Sequence, residues 1–233
     1  MAPKIVLDKP AGLTEALAGL LAAEWERAVA ERGRLSIALP GGSVATTFFP
    51  ALAGSGIDWT RAAFFWGDER AVAESHPDSN AGLARRLWLG PAGVPEGNVH
   101  RMEAEAPDLA AAAARYADVL TRELGSPPRL DVALLGVGPD GHVCSLFPGH
   151  AALRAEGWTA AVGDAPKPPP RRVTLTLATL AAAELVAVVA LGSAKASVMR
   201  EALAGSDLPV ARALGAARRA VVLLDLDAAG GIG

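Results

Sequence analysis

Four short stretches concentrate the side chains able to do chemistry: "PGGSVATT" from Pro40, "GDER" from Gly67, "PDGH" from Pro139 and "GSAK" from Gly192. In the third, His142 stands two residues after Asp140. A carboxylate at that separation can orient an imidazole and hold its tautomer, which suits His142 to general-base chemistry. In the first, Gly41, Gly42 and Ser43 offer backbone N–H groups that an anion can approach without obstruction from a Cβ, so the turn suits a phosphate. Arg70 and Lys195 are cations able to join the same phosphate through charge-assisted hydrogen bonds. A base beside a phosphate cradle points to a reaction on a small phosphorylated metabolite.

Other chemistries fit less well. Gly136 to Gly141 match Gly-x-Gly-x-x-Gly, the spacing associated with dinucleotides, but that fingerprint needs a helix directly after its glycines. Pro148 and Gly149 follow too soon for one, so the glycines read as a tight turn presenting Asp140 and His142. "PGGSVA" has no Lys in a nucleotide P-loop frame. It also carries Ala45 where a nucleophile elbow needs its second Gly, which argues against Ser43 as a nucleophile. Asp140, His142 and Cys144 lack the paired Cys or His spacing of a structural zinc site, and no metal is expected. Cys144 reads as a small packed side chain, and His76 and His100 as surface or satisfied residues.

The elements that must position these groups follow from apolar patterning. Leu13, Leu17, Leu20, Leu21, Trp25 and Ala28 recur at helical spacing and predict a helix over about 13–31, ended by Gly33. "RLSIAL", "AAFFW", "LDVALLGVG", "RVTLTL", "ELVAVVAL" and "RAVVLLDL" are short β-branched or aromatic runs, several apolar on both faces, as buried strands are. Helices are predicted between them over about 80–89 and 107–124. Strands alternating with helices imply a layered α/β architecture with a largely parallel sheet. In such sheets ligands bind beyond the carboxyl ends of the strands, where all four polar stretches fall. "GDAPKPPPRR" at 163–172 can be neither helix nor central strand and reads as a stiff, extended surface connection.

Composition narrows the setting. At 233 residues the chain is within reach of one hydrophobic core, and one domain over 1–233 is expected. Hydrophobic residues make up 51% and charged residues 20%, the balance of a globular protein. A net charge of −3 supplies no basic field for nucleic acid or anionic lipid. The lone Cys144 fits a reducing compartment. The N-terminal stretch places charges where a secretory signal needs an apolar core, and "LVAVVALG" is far shorter than the roughly 20 residues of a membrane helix. A cytoplasmic location and no membrane partner are expected.

"LPGGSVATTFFPALA", "FFWGDERAVAESHPDSNAGLARRLWL", "VPEGNVHRM", "LDVALLGVGPDGHVCSLFPGH", "RRVTLTLATLAAAE" and "LGSAKASVMREAL" resemble, in order, the successive motifs of 6-phosphogluconolactonases, from about Leu39 to Leu203. The resemblance implies a three-layer α/β sandwich similar to glucosamine-6-phosphate deaminase. It implies hydrolysis of 6-phosphoglucono-1,5-lactone in the oxidative pentose phosphate pathway, without metal or organic cofactor, by a monomer or small homo-oligomer. It implies His142 as the base activating water, with Asp140 and Arg70 beside it in the catalytic group. Gly41, Gly42, Ser43, Arg70 and Lys195 would hold phosphate and ring oxygens, and Asp68, Asn80 and Arg172 occupy motif positions on the substrate side. Two departures from the pattern stand out: Ala45 and Thr46 occupy the place where the family often has Thr-Pro, and Cys144 replaces a small Ala-like residue. A deaminase or isomerase would be expected to carry a carboxylate just after "SLFPGH", where none occurs before Glu156. A non-catalytic sugar-phosphate sensor would be expected to carry a DNA-binding helix-turn-helix, for which the N-terminus offers one clear helix and no basic patch.

Overall fold

The computed structural model describes residues 2–231; Met1, Ile232 and Gly233, at the ends of the expected 1–233 domain, lie outside the described residues. In chain order the elements are β1 (Lys4–Asp8), α1 (Pro10–Arg32), β2 (Leu35–Leu39), α2 (Gly42–Ala53), β3 (Ala62–Trp66), β4 (Asp68–Arg70), α3 (Asn80–Ala84), α4 (Leu109–Leu124), β5 (Val132–Gly136), β6 (Thr159–Val162), β7 (Arg172–Leu175), α5 (Leu177–Ala182), β8 (Leu185–Ala190), α6 (Ala196–Leu203), α7 (Pro209–Ala216), β9 (Ala220–Asp225) and α8 (Leu226–Ala229).

Five of the six apolar runs form one parallel sheet, ordered β1-β9-β8-β5-β2-β3. β2, β3 and β8 are buried along their whole length, as expected of strands covered on both faces by helices. Ile37 pairs with Phe64 on one side and Val132 on the other, which fixes the register at the centre of the sheet. Each such side chain contributes about 1.5–3 kcal/mol on leaving water. The exposed strand β1 covers an edge of the sheet against β9; its charged ends hide it from apolar patterning.

The sixth run, "RVTLTL", lies elsewhere. β7 is the middle strand of a separate antiparallel sheet, ordered β4-β7-β6. "GDER", expected as a strand-end loop, contains β4 of that sheet. Gly67 ties the two sheets together: its N–H donates to the Leu39 carbonyl at 3.0 Å, and its carbonyl accepts from the Leu175 N–H at 2.8 Å. The chain therefore passes from β3 into a second hydrogen-bond ladder, and Asp68 and Arg70 are set on a strand.

Several boundaries differ from the periodic reading. α1 starts at Pro10, because proline at the first helical position loses no hydrogen bond. The predicted 80–89 helix is α3 followed by a wider π turn, Arg85–Leu89. That turn carries Trp88 into an aromatic cluster, 5.0 Å from the Phe49 ring, 4.8 Å from Trp59 and 5.4 Å from Phe64. Such pairs add about 0.5–1.5 kcal/mol beyond their burial and hold α2 against the end of the sheet. α4 begins at Leu109, two residues after the expected start, because the Asp108 side chain accepts from the Ala111 N–H. From α4, the buried Tyr116 hydroxyl accepts from the Trp66 N–H at 2.9 Å, closing the last residue of β3 just before Gly67.

Candidate active site

β2 and β5 are neighbours at the point where the chain, having built outward from β2 to β3, turns back to add β5, β8 and β9 on the other side, where β9 meets β1. Open parallel sheets leave a crevice at this reversal, beyond the strands' carboxyl ends. A cleft of about 220 Å³ occupies it, lined among others by Gly41, Ser43, Arg70, His142, Arg172 and Lys195.

On one wall is the N-terminus of α2. Gly41 occupies the N-cap and has no side chain to occupy the first-turn N–H groups, so these remain available to an anion. Any larger residue is excluded there: a Cβ on Gly41 would stand 1.8 Å from Asn80 Oδ1. Ser43, in the first turn of α2, is exposed and lines the same wall.

The opposite wall is the turn after β5. The Gly138 N–H donates to the His142 carbonyl at 2.9 Å and the Gly141 N–H to the Gly138 carbonyl at 3.0 Å, folding the segment into the expected tight turn. Gly138 is required because the imidazole lies against it: a Cβ there would be 1.9 Å from His142 Nδ1 and 2.5 Å from Asp140 Oδ1. Nδ1 is 2.5 Å from Asp140 Oδ1, and the ring packs on Phe147 with centroids 4.5 Å apart. Burial pushes the Asp140 carboxyl up, but its hydrogen bond and charge interaction with His142, followed by a hydrogen bond from Lys167, leave it below the usual carboxylate range. Asp140 is thus ionised and can only accept, so Nδ1 carries the proton and Nε2 the lone pair. Burial lowers the His142 pKa, Asp140 opposes that, Lys167 reinforces it, and the net shift is downward. The imidazole is therefore neutral at neutral pH.

The second sheet supplies a buried polar layer. Asp68 Oδ2 accepts from the Ser145 hydroxyl at 2.6 Å and faces Arg172 Nη1 at 3.5 Å. Arg172 Nε donates to the Pro169 carbonyl at 2.9 Å, and Nη2 donates to the carbonyls of Lys167 at 2.9 Å and Pro168 at 3.3 Å. Arg70 Nη1 donates to the Asp78 carbonyl at 2.8 Å. Among the described residues no acceptor meets the buried Arg70 Nε. Lys195 reaches the cleft from the turn before α6; burial lowers its pKa, the Lys167 charge lowers it further, and Asp140 opposes both.

Nine of the ten expected residues thus stand in the cleft wall or, for Asp140, immediately behind His142. Asn80 is set back from the cleft: its Nδ2 donates to the Asp68 carbonyl at 2.8 Å and to Oδ1 at 3.3 Å, so it orients Asp68. The histidine outside the site at position 100 also differs from expectation. It stacks on Phe65 at 4.7 Å, and its buried Nε2 has no hydrogen-bond partner among the described residues, with Glu123 Oε2 standing 4.0 Å away. Cys144 packs, as expected, and burial pushes its thiol well up.

Four contributors escaped the sequence reading: Gly138, Ser145, Glu69 and Lys167. Buried Glu69 accepts from the N–H groups of Asn80 at 2.8 Å and Ala81 at 2.7 Å, pinning the start of α3 behind Asp68. Burial raises its pKa against the pull of these bonds. The available signal for Lys167 was a single cation inside a proline run. Among the described residues no group of three or more His, Cys, Asp or Glu side chains could hold a metal ion, and no helix is long and apolar enough to cross a membrane.

Residues 8–222 match the family described as "Glucosamine-6-phosphate isomerases/6-phosphogluconolactonase". The chain is 39% identical over 242 residues to a 6-phosphogluconolactonase of Streptomyces coelicolor, covering 97% of this chain and 93% of that one. It is similar to the solved 6-phosphogluconolactonase of Trypanosoma brucei, with a TM-score of 0.85 and 30% identity over 99% of both chains. The fold is also that of a monomeric glucosamine-6-phosphate deaminase, with a TM-score of 0.83 at 19% identity over 97% of this chain and 98% of that one.

Proposed function

The chain belongs to the glucosamine-6-phosphate isomerase/6-phosphogluconolactonase family, and from that premise we propose that it hydrolyses 6-phosphoglucono-1,5-lactone to 6-phosphogluconate in the oxidative pentose phosphate pathway. The observation that carries this reading is the pairing of a neutral, Asp140-oriented His142 with the open N-terminus of α2 across one cleft. A δ-lactone is an activated ester, so one positioned water and one base suffice. His142 Nε2 takes a proton from water as its oxygen bonds to the lactone carbonyl carbon. The resulting oxyanion needs a donor, for which the cation Arg70, in the cleft lining, is suited. As the ring C–O bond breaks, the imidazolium returns its proton to the departing ring oxygen.

The phosphate lies far from the reacting carbon, so its binding energy can fix the carbonyl relative to the water. Gly41, Gly42 and Ser43 at the helix terminus and Lys195 form the proposed anchor. Asp68, held by Ser145, Asn80 and Arg172, is suited to accept from substrate hydroxyls. The single free thiol, Cys144, supports a reducing, cytoplasmic setting.

The test is acid release from freshly generated 6-phosphogluconolactone, measured above spontaneous opening. Wild-type protein accelerates it, and His142→Ala lowers kcat by about 10²–10⁴-fold with KM largely kept. No acceleration by wild-type protein removes the hydrolase reading; full kcat in the Ala variant removes His142 as the base.

A further inference from the structure

The segment 163–171 is more than a connection. Pro166, Pro168, Pro169 and Pro170 lack N–H groups, so the run presents carbonyls in excess of donors. Buried Arg172 answers that excess, taking the carbonyls of Lys167, Pro168 and Pro169 with one guanidinium. The segment is closed on itself by the Ala165 N–H, which donates to the Pro170 carbonyl at 2.9 Å, and is tied to the end of β4 by the Ala71 N–H, which donates to the Arg171 carbonyl at 2.9 Å. The backbone of Lys167 is therefore ordered before its side chain does anything.

That side chain ends beside the base. Lys167 Nζ donates to Asp140 Oδ1 at 3.2 Å, the same oxygen that receives His142 Nδ1, and stands 3.5 Å from Nδ1 itself. We propose that Lys167 is a positioning residue for lactone hydrolysis: fixed by the proline segment, its ammonium holds the Asp140 carboxylate in the orientation that receives Nδ1–H and so aims Nε2 of His142 into the cleft. Without it Asp140, whose side chain is 36% exposed, can turn to solvent and release the imidazole.

Charged groups reach the imidazole from three elements: Asp140 on its own turn, Lys167 on the proline segment and Asp68 on β4; Lys195, from the turn before α6, faces Asp140 and Lys167. Asp140 and Asp68 raise the proton affinity of His142 and Lys167 lowers it. Removal of the Lys167 charge thus has a signed consequence that a merely structural lysine would lack.

The proposal rests on His142 as the base, and the experiment separates the two. Lys167→Met, Lys167→Arg, Asp140→Asn, the Lys167→Met/Asp140→Asn double variant and His142→Ala are compared by pH profiles of kcat and kcat/KM. Lys167→Met is expected to lower kcat by about tenfold to 10²-fold, the scale of a 1 Å misplacement, to leave KM nearly unchanged, and to move the acidic limb to higher pH. Lys167→Arg keeps the limb where wild type has it. In the Asp140→Asn background the further loss from Lys167→Met largely disappears, because the lysine acts through that carboxylate. An unmoved limb in Lys167→Met, a raised KM at full kcat, or additive losses in the double variant overturns the proposal. Full kcat in His142→Ala instead overturns the assignment of the base on which it stands.

Discussion

Replacing Gly138 by Ala adds one methyl group at the point where the imidazole touches the backbone. The new Cβ would lie 1.9 Å from His142 Nδ1, 2.0 Å from Cε1 and 2.5 Å from Asp140 Oδ1, whereas ordinary contact begins at 3.4 Å. Relief requires the ring to withdraw by about 1.5 Å, or the turn to open and break the bond from the Gly138 N–H to the His142 carbonyl. Gly138 is not among the positive-φ glycines, so Ala carries no backbone strain of its own. The expectation is therefore a catalytic defect without unfolding. A 1 Å misplacement can cost about 10²-fold and loss of a general base about 10²–10⁴-fold, so kcat in Gly138→Ala should fall within that 10²–10⁴ range. The assay is acid release corrected for spontaneous opening, with thermal melting alongside and binding of 6-phosphogluconate as a check on the cradle. A variant that folds, binds and turns over within tenfold of wild type would refute the dependence of catalysis on the Asp140–His142 arrangement.

Asp140→Asn removes the Asp140 charge and its charge-assisted hydrogen bond, the larger of the influences that raise the His142 pKa, and leaves only the smaller one from Asp68, so the acidic limb of kcat/KM should move to lower pH while the plateau falls about 10²-fold or more through loss of the tautomer; a limb that rises or stays in place refutes this. The substrate phosphate titrates near pH 6 in every variant alike, so differences between variants report the enzyme's own group. Lys195→Ala should lower kcat/KM for the phosphorylated lactone by about 10- to 100-fold, the scale of one charge-assisted hydrogen bond, and leave the unphosphorylated lactone nearly unaffected; equal losses on both count against a phosphate contact. Tyr116→Phe leaves the buried Trp66 N–H without its acceptor, at a cost of about 1–3 kcal/mol. At about 2–4 °C per kcal/mol for a chain of this size, the melting temperature should drop measurably, and an unchanged one shows that the bond contributes nothing net.

What the chain displays in its own pattern, and what it hides, divides along physical lines. β2, β5, β8 and β9 were legible because strands covered on both faces must be apolar throughout. The four polar stretches were legible because parallel strands deliver their carboxyl ends to one rim. β4, with sequence Asp-Glu-Arg, and β6, Thr-Ala-Ala-Val, were not: neither has a strand's side-chain pattern, and each is extended because β7 lies beside it. Asn80 enters on the substrate side through the resemblance alone. The contact its side chain makes is with Asp68, 12 residues away across the start of α3, a relation that no local spacing encodes. Lys167 is 27 residues from Asp140 and is brought there by Arg172, a cation that the sequence offers equally well as a substrate ligand.

The charges in the cleft work against one another in a way that bears on the choice of chemistry. Although the chain carries a net charge of −3, Arg70, Arg172 and Lys195 line this cleft and Lys167 stands behind the base. Such a field attracts a phosphorylated substrate and stabilises an oxyanion, but it also weakens any base within it. Asp140 and Asp68 offset the effect on His142 only in part, and its pKa remains lowered. The result is an imidazole that is fully available as the neutral form and only modestly basic. An unactivated ester or amide calls for a stronger attack than a weak base can give water, and the cleft offers no covalent nucleophile that is ready: burial keeps the Cys144 thiol protonated, and Ser43 stands in the first turn of α2 on the wall opposite the Asp140–His142 turn. A lactone needs no such group. Its electrophilic carbonyl tolerates water delivered by a weak, well-aimed base, so in the proposed mechanism the cationic cleft that anchors the phosphate and the modest base beside it suit the same substrate.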